Sequence, residues 1–170
     1  MLVIKKHYNN SENILRSELT KVTSKLENHT PKTLVGKRYR SDILNIIREE
    51  QWSAKKFTHP NIRSIGVDLI SNISGPVGLS MQVSHTDGGK AQLLDFEVLY
   101  RDELVKGCIF VTQTLAEAKK RNKVVNPDSA WGNTGNRIHF EFLIEQMDSL
   151  KKFLKCPMTI IGVQSDQFPL

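Results

Sequence analysis

The segment CIFVTQ at residues 108–113 is an almost continuous apolar run, and it limits the possible folds more than any other part of the chain. A run of this length without polar alternation is typical of a strand that is covered on both faces of a sheet. A similar run, MTIIGV, occupies residues 158–163, and apolar residues recur at helical spacing over 91–106 and 138–155. This alternation predicts an α/β fold in which 108–113 lies in the middle of a mixed β-sheet flanked by helices.

The first part of the chain has the pattern of helices. A stripe of apolar residues at three- and four-residue spacings predicts an amphipathic helix over residues 10–28. The segment TPKTLVGKRYR at 30–40 contains a proline, a glycine and four basic side chains, which indicates a loop or an arm. Ser41 is expected to cap a second helix, whose apolar side ends before Trp52.

The next two runs have the pattern of a β-hairpin. IRSIGVDLI at 62–70 and VGLSMQVS at 77–84 are rich in strand-forming residues and lie on either side of a Gly75-Pro76 turn. We therefore expect these two strands to be antiparallel neighbours.

The 170 residues have the length of one domain, and we expect residues 1–170 to fold around a single core. With 39% hydrophobic and 25% charged residues, the composition excludes a disordered or fibrous chain. The net charge of +6 belongs to residues 1–60, which hold 12 basic and 6 acidic side chains, whereas 61–170 hold 12 of each. A basic helical N-terminal part at 1–60 therefore precedes a neutral core, and the excess charge predicts an anionic partner.

Two cysteines, Cys108 and Cys156, lie in apolar stretches without a CxxC motif or nearby histidines. This pattern indicates core residues rather than a zinc site or a disulfide framework. No segment has the ~18–20 apolar residues that span a membrane, and no apolar run of signal-peptide length follows the first residues. We therefore expect a protein of the reducing cytoplasm with no membrane partner.

Asp68 interrupts the first strand of the predicted hairpin, where a carboxylate either faces solvent or serves a site. Gln82 lies on the second strand, and antiparallel pairing would bring the two side chains close together on one face. Carboxylate and amide oxygens are hard ligands that suit Mg²⁺. The pair is therefore a candidate site, and plain surface is the alternative.

The order of these segments resembles one known family. VDLI, GLSMQV, LLDFEVLYRDEL, KGCIFVTQT and CPMTIIGV are similar to the core of the BglII/BstYI-type restriction endonucleases, a branch of the PD-(D/E)XK nuclease superfamily. The resemblance covers about residues 62–163 and implies a restriction-endonuclease-like sheet, double-stranded DNA as partner, Mg²⁺ as cofactor and a homodimer that matches palindromic sites. That branch pairs an aspartate with a Glu-x-Gln on the next strand, so the resemblance assigns catalytic roles to Asp68 and Gln82 and metal binding to Asp68.

Ser80 stands at the glutamate position of this motif. In such nucleases two carboxylates hold Mg²⁺, which activates water and neutralises charge on the scissile phosphate. Three explanations are open: another carboxylate replaces the glutamate, catalysis has been lost while DNA or protein binding is kept, or a different register lets Asp87 or another acid complete the site. The candidates for a replacing carboxylate are Glu49, Glu50, Asp95 and Glu97.

Basic side chains form two candidate surfaces for phosphate contacts. The first surface is in segment 30–40, and the second is a short basic helix expected at 115–122. A long polar loop at 124–137 carries residue types that read base edges. Solvated basic faces and ordinary turn chemistry are the alternatives. The residues assigned to DNA binding are Lys32, Lys37, Arg38, Arg40, Lys119, Lys120, Arg121, Asn133, Asn136 and Arg137.

Overall fold

A six-stranded mixed sheet with helices on both faces organises the chain in a computed structural model. The structure describes residues 1–48, 52–59, 62–83, 86–125 and 137–166. In chain order its elements are β1 (Leu2–Tyr8), α1 (Ser11–Ile14), α2 (Arg16–Glu27), α3 (Gly36–Ile47), β2 (Trp52–His59), β3 (Ile62–Ser71), β4 (Val77–Met81), α4 (Thr86–Arg101), β5 (Gly107–Gln113), α5 (Leu115–Val125), α6 (Phe140–Leu150) and β6 (Met158–Gln164).

The strands lie side by side in the order β1-β6-β5-β4-β3-β2. Strands β4, β5 and β6 are parallel, whereas β1, β3 and β2 add antiparallel pairs at the two sides. All seven residues of β5 are buried, as a strand covered on both faces requires. The predictions of an α/β fold with a mixed sheet and of an interior strand at 108–113 are therefore confirmed.

Each face of the sheet has its own apolar core. Helices α2 and α3 cover one face, which we call the α2/α3 face, where Leu19 and Ile43 belong to the same cluster as Leu79 of β4. Helices α4 and α6 cover the opposite face, the α4/α6 face, where the rings of Phe96 and Phe110 meet edge to face at 5.9 Å. Burial of such side chains contributes about 1.5–3 kcal/mol each, so both helical layers are held to the sheet mainly by apolar contact.

Residues 1–60, expected to be a basic helical part, contain a strand at each end. The first residues form the edge strand β1, which is antiparallel to β6 and carries Lys5 and Lys6. Charged residues are typical of sheet edges because they oppose pairing with another chain. Trp52, which follows the predicted second helix, begins β2 and is buried in the core of the α2/α3 face.

The basic arm predicted at 30–40 is partly helical. Helix α3 begins at Gly36, five residues before the predicted cap Ser41, and Val35 is its N-cap. Tyr39 explains the difference because it lies one helical turn before Ile43 and both side chains are fully buried. Packing of this aromatic ring extends the helix into a segment whose proline, glycine and charges indicate a loop.

The remaining predicted elements are present with shifted ends. The hairpin of β3 and β4 is confirmed, and its turn contains Gly75 at φ 111°, a backbone conformation that suits glycine. Helix α4 begins and ends earlier than the predicted 91–106, and α6 is shorter than the predicted 138–155. Within the described ranges, none of the helices combines the length and apolar composition that crossing a membrane requires.

Candidate functional site

A β-bulge in β3 places Asp68. Two residues of β3, Asp68 and Leu69, lie opposite the single residue Ala54 of β2. The bulge interrupts the alternation of the strand, because Val67 and Ile70 both pack on the α4/α6 face although three positions separate them. Bulges of this kind redirect side chains and are frequent beside active sites.

Beyond the bulge, β3 separates from β4, and side chains take over the hydrogen bonds of the ladder. Regular pairing ends at Leu69 and Leu79. The backbone N–H of Met81 then donates to Oδ2 of Asp68 at 2.8 Å, and the carbonyl of Met81 accepts from Nε of Arg40 at 2.7 Å. Nη2 of Arg40 donates to Oδ1 of Asp68, which closes the ring. We call this group of Asp68, Arg40 and Met81 the Asp68 clamp.

The Asp68 clamp is partly open to solvent. The side chain of Arg40 is 32% exposed and that of Asp68 is 22% exposed. Arg40 extends from α3, so the helix that contains Lys37 and Arg38 is tied directly to the place where β3 and β4 separate. Charge-assisted hydrogen bonds are stronger than neutral ones, yet water at this depth screens the ion pair.

Gln82 follows the clamp directly in the chain. Its backbone N–H donates to the carbonyl of Val111 at 3.1 Å, and its carbonyl accepts from Oγ1 of Thr112 at 2.8 Å. The structure therefore holds the Asp68 carboxylate against the residue that precedes a half-buried Gln82. The catalytic roles assigned to Asp68 and Gln82 stay predictions.

Ser80, at the expected glutamate position, is on the other side of the sheet from the α2/α3 core. Its neighbours Leu79 and Met81 pack on the α2/α3 face, so strand alternation directs Ser80 towards the α4/α6 face. The side chain is 1% exposed, and within the described part of the chain its Oγ has no hydrogen-bond partner. A hydroxyl in this position cannot supply the charge of a second carboxylate.

The candidates for a replacing carboxylate do not complete the site. Glu97 accepts from Nε of Arg101 at 2.6 Å and from the backbone N–H groups of Lys155 and Cys156 at 2.7 and 2.9 Å. These contacts hold Glu97 near the beginning of β6, whereas Asp68 lies at the end of β4, so the two carboxylates are at opposite ends of the parallel strands. Asp95 is half-buried, and its burial raises its pKa. Two further candidates, Glu49 and Glu50, and the Asp87 side chain lie outside what the structure describes.

The described donor set does not fit the Mg²⁺ ion that the resemblance implies. Magnesium requires near-octahedral oxygen coordination and is usually held by one or two carboxylates. The Asp68 carboxylate and the Met81 carbonyl already accept hydrogen bonds from Arg40. In the described residues, histidine, cysteine, aspartate and glutamate form no group of three arranged for a metal ion.

The residues assigned to DNA binding divide into exposed and engaged groups. Lys32, Lys37, Arg38 and Lys119 are exposed. Arg40 belongs to the Asp68 clamp, and Nζ of Lys120 donates to the carbonyl of Ser165 at 2.9 Å. Arg137 is half-buried. Asn133 and Asn136 lie outside the described residues.

Arg121 is 1% exposed, and its guanidinium is not presented to an external partner. Its Nε donates to the carbonyl of Leu34 at 2.8 Å, its Nη1 donates to Oε1 of Gln113, and its Cζ lies 4.5 Å from the centroid of the Tyr39 ring. We call these four residues the Arg121 centre. Burial lowers the pKa of Arg121 to about 10 and raises that of Tyr39 well above its ordinary value, an effect that the nearby carboxylate of Glu117 adds to.

Sequence reasoning missed this structural role. Glu117 and Arg121 are four residues apart on α5, and both are buried together with Ala118. Glu117 accepts from the backbone N–H and the hydroxyl of Ser165 at 3.0 and 2.9 Å. The spacing of Glu117 and Arg121 is a signal of a shared helix face, although it does not reveal that this face is buried.

Comparison with known proteins agrees with this architecture. The family model described as "Restriction endonuclease BglII/BglIII" matches residues 3–163. The crystal structure of restriction endonuclease BglII in complex with a DNA 16-mer is similar to this fold, with a TM-score of 0.70 and 14% sequence identity over 98% of this chain and 79% of that one. A search of curated protein sequences gives no significant match. Because the family model covers nearly the whole sequence, this chain belongs to the BglII/BglIII restriction endonuclease family.

Proposed function

We propose that this protein binds duplex DNA through the exposed positive charges at the beginning of α3. The observation that carries the proposal is the position of Lys37 and Arg38, which are exposed within one helical turn of Arg40. Arg40 in turn contacts Asp68, so these charges are on the helix that reaches the place where β3 and β4 separate, at which the family resemblance expects the scissile phosphate. Membership of the family and the DNA complex of the similar BglII structure support the same partner.

Lys32 adds to this surface from the segment before α3. Its backbone N–H donates to Oδ2 of Asp42 at 2.9 Å, and the same oxygen lies 3.0 Å from Nε2 of His29. These bonds fix the segment against α3, while the Lys32 side chain is exposed. Preorganised cations of this kind contact phosphates without reading sequence.

The salt dependence of DNA binding tests this surface. Fluorescence anisotropy with a labelled duplex would give the affinity of the wild type and of a Lys37→Met/Arg38→Met variant over a series of salt concentrations. Loss of two phosphate contacts is expected to make the negative slope of log K against log salt shallower by about 2 and to weaken binding at low salt.

A matched control uses two exposed lysines after α6, on the opposite side of the sheet. Lys151→Met/Lys152→Met removes the same charge and should leave the slope within experimental error of the wild type. Equal slopes for the two double variants would contradict the proposed surface. Absence of binding to any duplex at low salt would reject DNA as the partner and favour a protein partner.

Homodimer formation in the cytoplasm belongs to the same proposal. A two-fold symmetric protein matches a palindromic site, which is the physical reason to expect two copies on one duplex. Cys108 and Cys156 are free and buried, which agrees with a reducing compartment. Sedimentation analysis with and without a palindromic duplex would give the stoichiometry, and a single copy on the duplex would contradict the dimer.

Metal-dependent cleavage of DNA is a second candidate function. Restriction endonucleases generally use a divalent metal ion, and Asp68 and Gln82 occupy positions that match the family motif. Binding without cleavage is favoured by the Asp68 clamp, because the carboxylate already has a cationic partner. Incubation of plasmid and phage DNA with Mg²⁺ or Mn²⁺ separates the two functions: cleavage that Asp68→Ala abolishes would establish the second, and cleavage that survives this change would reject the site.

A further inference from the structure

We infer that Arg40 is the resident cation of the Asp68 site and that a divalent ion binds Asp68 only when Arg40 has left. Two oxygens of different chemical type, Oδ1 of Asp68 and the carbonyl oxygen of Met81, converge on the same guanidinium. A carboxylate and a carbonyl are the oxygen types that Mg²⁺ and Mn²⁺ prefer. The guanidinium therefore occupies the position in which these two oxygens would face a metal ion.

The second carboxylate oxygen cannot provide a separate metal position on the sheet side. Oδ2 of Asp68 accepts the backbone N–H of Met81 at 2.8 Å, and that N–H is directed towards β3 because the next one, on Gln82, is bonded to β5. The hydrogen bond fixes the carboxylate plane and leaves Oδ1 as the outward oxygen. Arg40 contacts this outward oxygen.

Charge gives the second reason for exclusion. A divalent ion beside Oδ1 would stand within a few ångströms of the Arg40 guanidinium and would meet strong repulsion from its positive charge. Among the described residues, one carboxylate faces one guanidinium here, and Ser80 adds no negative charge. The site is thus balanced electrostatically without a metal ion.

A simpler role for Arg40 is to complete the edge of β4. The carbonyl of Met81 needs a donor once β3 has separated, and Nε of Arg40 supplies one. The two roles differ in what removal of the charge should do. If Arg40 only donates to the Met81 carbonyl, another hydrogen-bonding side chain can replace it and the protein gains no affinity for metal ions. If Arg40 is the resident cation, its removal creates affinity for another cation at Asp68.

Manganese binding in the absence of DNA distinguishes these roles. Electron paramagnetic resonance would measure free Mn²⁺ during titration of the purified full chain. We expect no saturable binding for the wild type or for Arg40→Lys, which keeps the charge. Arg40→Gln keeps a donor for Met81 but loses the charge, and it should gain saturable binding of one Mn²⁺, at least about tenfold tighter than any residual binding by the wild type.

Two further variants test whether the gain in Mn²⁺ affinity belongs to the Asp68 site. Arg40→Gln/Asp68→Asn should lose the new Mn²⁺ affinity, and Arg38→Gln, with the same charge change on the same helix, should not acquire it. The inference is overturned if the wild type binds Mn²⁺ as tightly as Arg40→Gln, if Arg40→Gln gains no affinity, or if Arg38→Gln gains as much.

A measurement on the wild type keeps the test decisive if Arg40→Gln does not fold. Thermal unfolding in millimolar Mn²⁺, compared with a salt of equal ionic strength, should show no change in Tm, because ligands stabilise only the state they bind. A rise in Tm that Asp68→Asn abolishes would overturn the inference. No DNA is used in these experiments, so their outcome is independent of whether DNA is the partner.

Discussion

Arg40 and Arg121 both belong to basic segments that the sequence assigns to DNA, yet the structure places them in different environments. Arg121 is fully buried and donates to a backbone carbonyl and a side-chain amide. Arg40 is about one-third exposed and donates to a backbone carbonyl and a carboxylate. Each arginine donates to two acceptors, so burial, rather than the number of hydrogen bonds, distinguishes their two environments.

The two environments differ in whether water can reach the acceptor groups of each arginine. If Arg121 is removed, the carbonyl of Leu34 and the amide oxygen of Gln113 lose their donor in a region that water does not reach. If Arg40 is removed, water can approach the Asp68 carboxylate and replace part of the lost interaction. Unsatisfied buried groups cost about 1–3 kcal/mol each, whereas exposed ion pairs contribute about 0–1 kcal/mol.

The largest effect is expected for Arg121→Met. Loss of two donors and of the stacking on Tyr39 should lower the free energy of unfolding by about 3 kcal/mol or more. Urea denaturation followed by circular dichroism measures this change. Lys119→Met, an exposed position on the same helix, is the control and should change the value by less than about 0.5 kcal/mol. A similar small change for Arg121→Met would show that its burial is unimportant for stability.

An intermediate effect is expected for Arg40→Met, measured in the same way. The free energy of unfolding should fall by about 1 kcal/mol, because the Asp68 clamp is partly exposed and solvent compensates part of the broken ion pair. A loss as large as that of Arg121→Met would remove the distinction between the two arginines and identify the Asp68 clamp as a structural ion pair.

The smallest effect is expected for Tyr39→Phe, which separates the ring of Tyr39 from its hydroxyl. The ring stacks on Arg121, whereas the buried hydroxyl lies near the Glu117 carboxylate without a described partner at regular hydrogen-bond geometry. Removal of the hydroxyl should therefore change the free energy of unfolding by less than about 0.5 kcal/mol. Tyr39→Leu, which also removes the ring, should cost clearly more. Equal costs for the two variants would show that the ring does not support Arg121.

The local pattern of apolar residues in the sequence was sufficient to predict much of the fold. The continuous apolar run of β5, the hairpin of β3 and β4 and the amphipathic helices all follow from residue spacing, because burial on one or two faces leaves a period in the sequence. The strand β1 left no such signal, since it lies at the sheet edge and its residues are mostly exposed or half-buried. The beginning of α3 was missed because tertiary packing of Tyr39 outweighs the local preference for a loop.

The candidate site was predictable only in part. Asp68 and Gln82 could be selected from strand position and family resemblance, but their environment could not. The bulge opposite Ala54 depends on pairing with β2, a strand that the sequence pattern did not predict, and Arg40 is 28 residues away from the carboxylate that it contacts. Neither the bulge nor the contact between Arg40 and Asp68 produces a periodic pattern of residues in the sequence.

The sequence by itself determined the fold class, the interior strand, the family and the excess of positive charge in residues 1–60. These properties follow from composition and from local periods, which every residue carries regardless of its partners. Only the tertiary structure decided which basic residues are exposed and which cation faces Asp68. Those outcomes depend on where solvent is excluded when α3 and α5 pack against the sheet. The burial of a charged side chain is set by the folded chain as a whole and not by the local sequence.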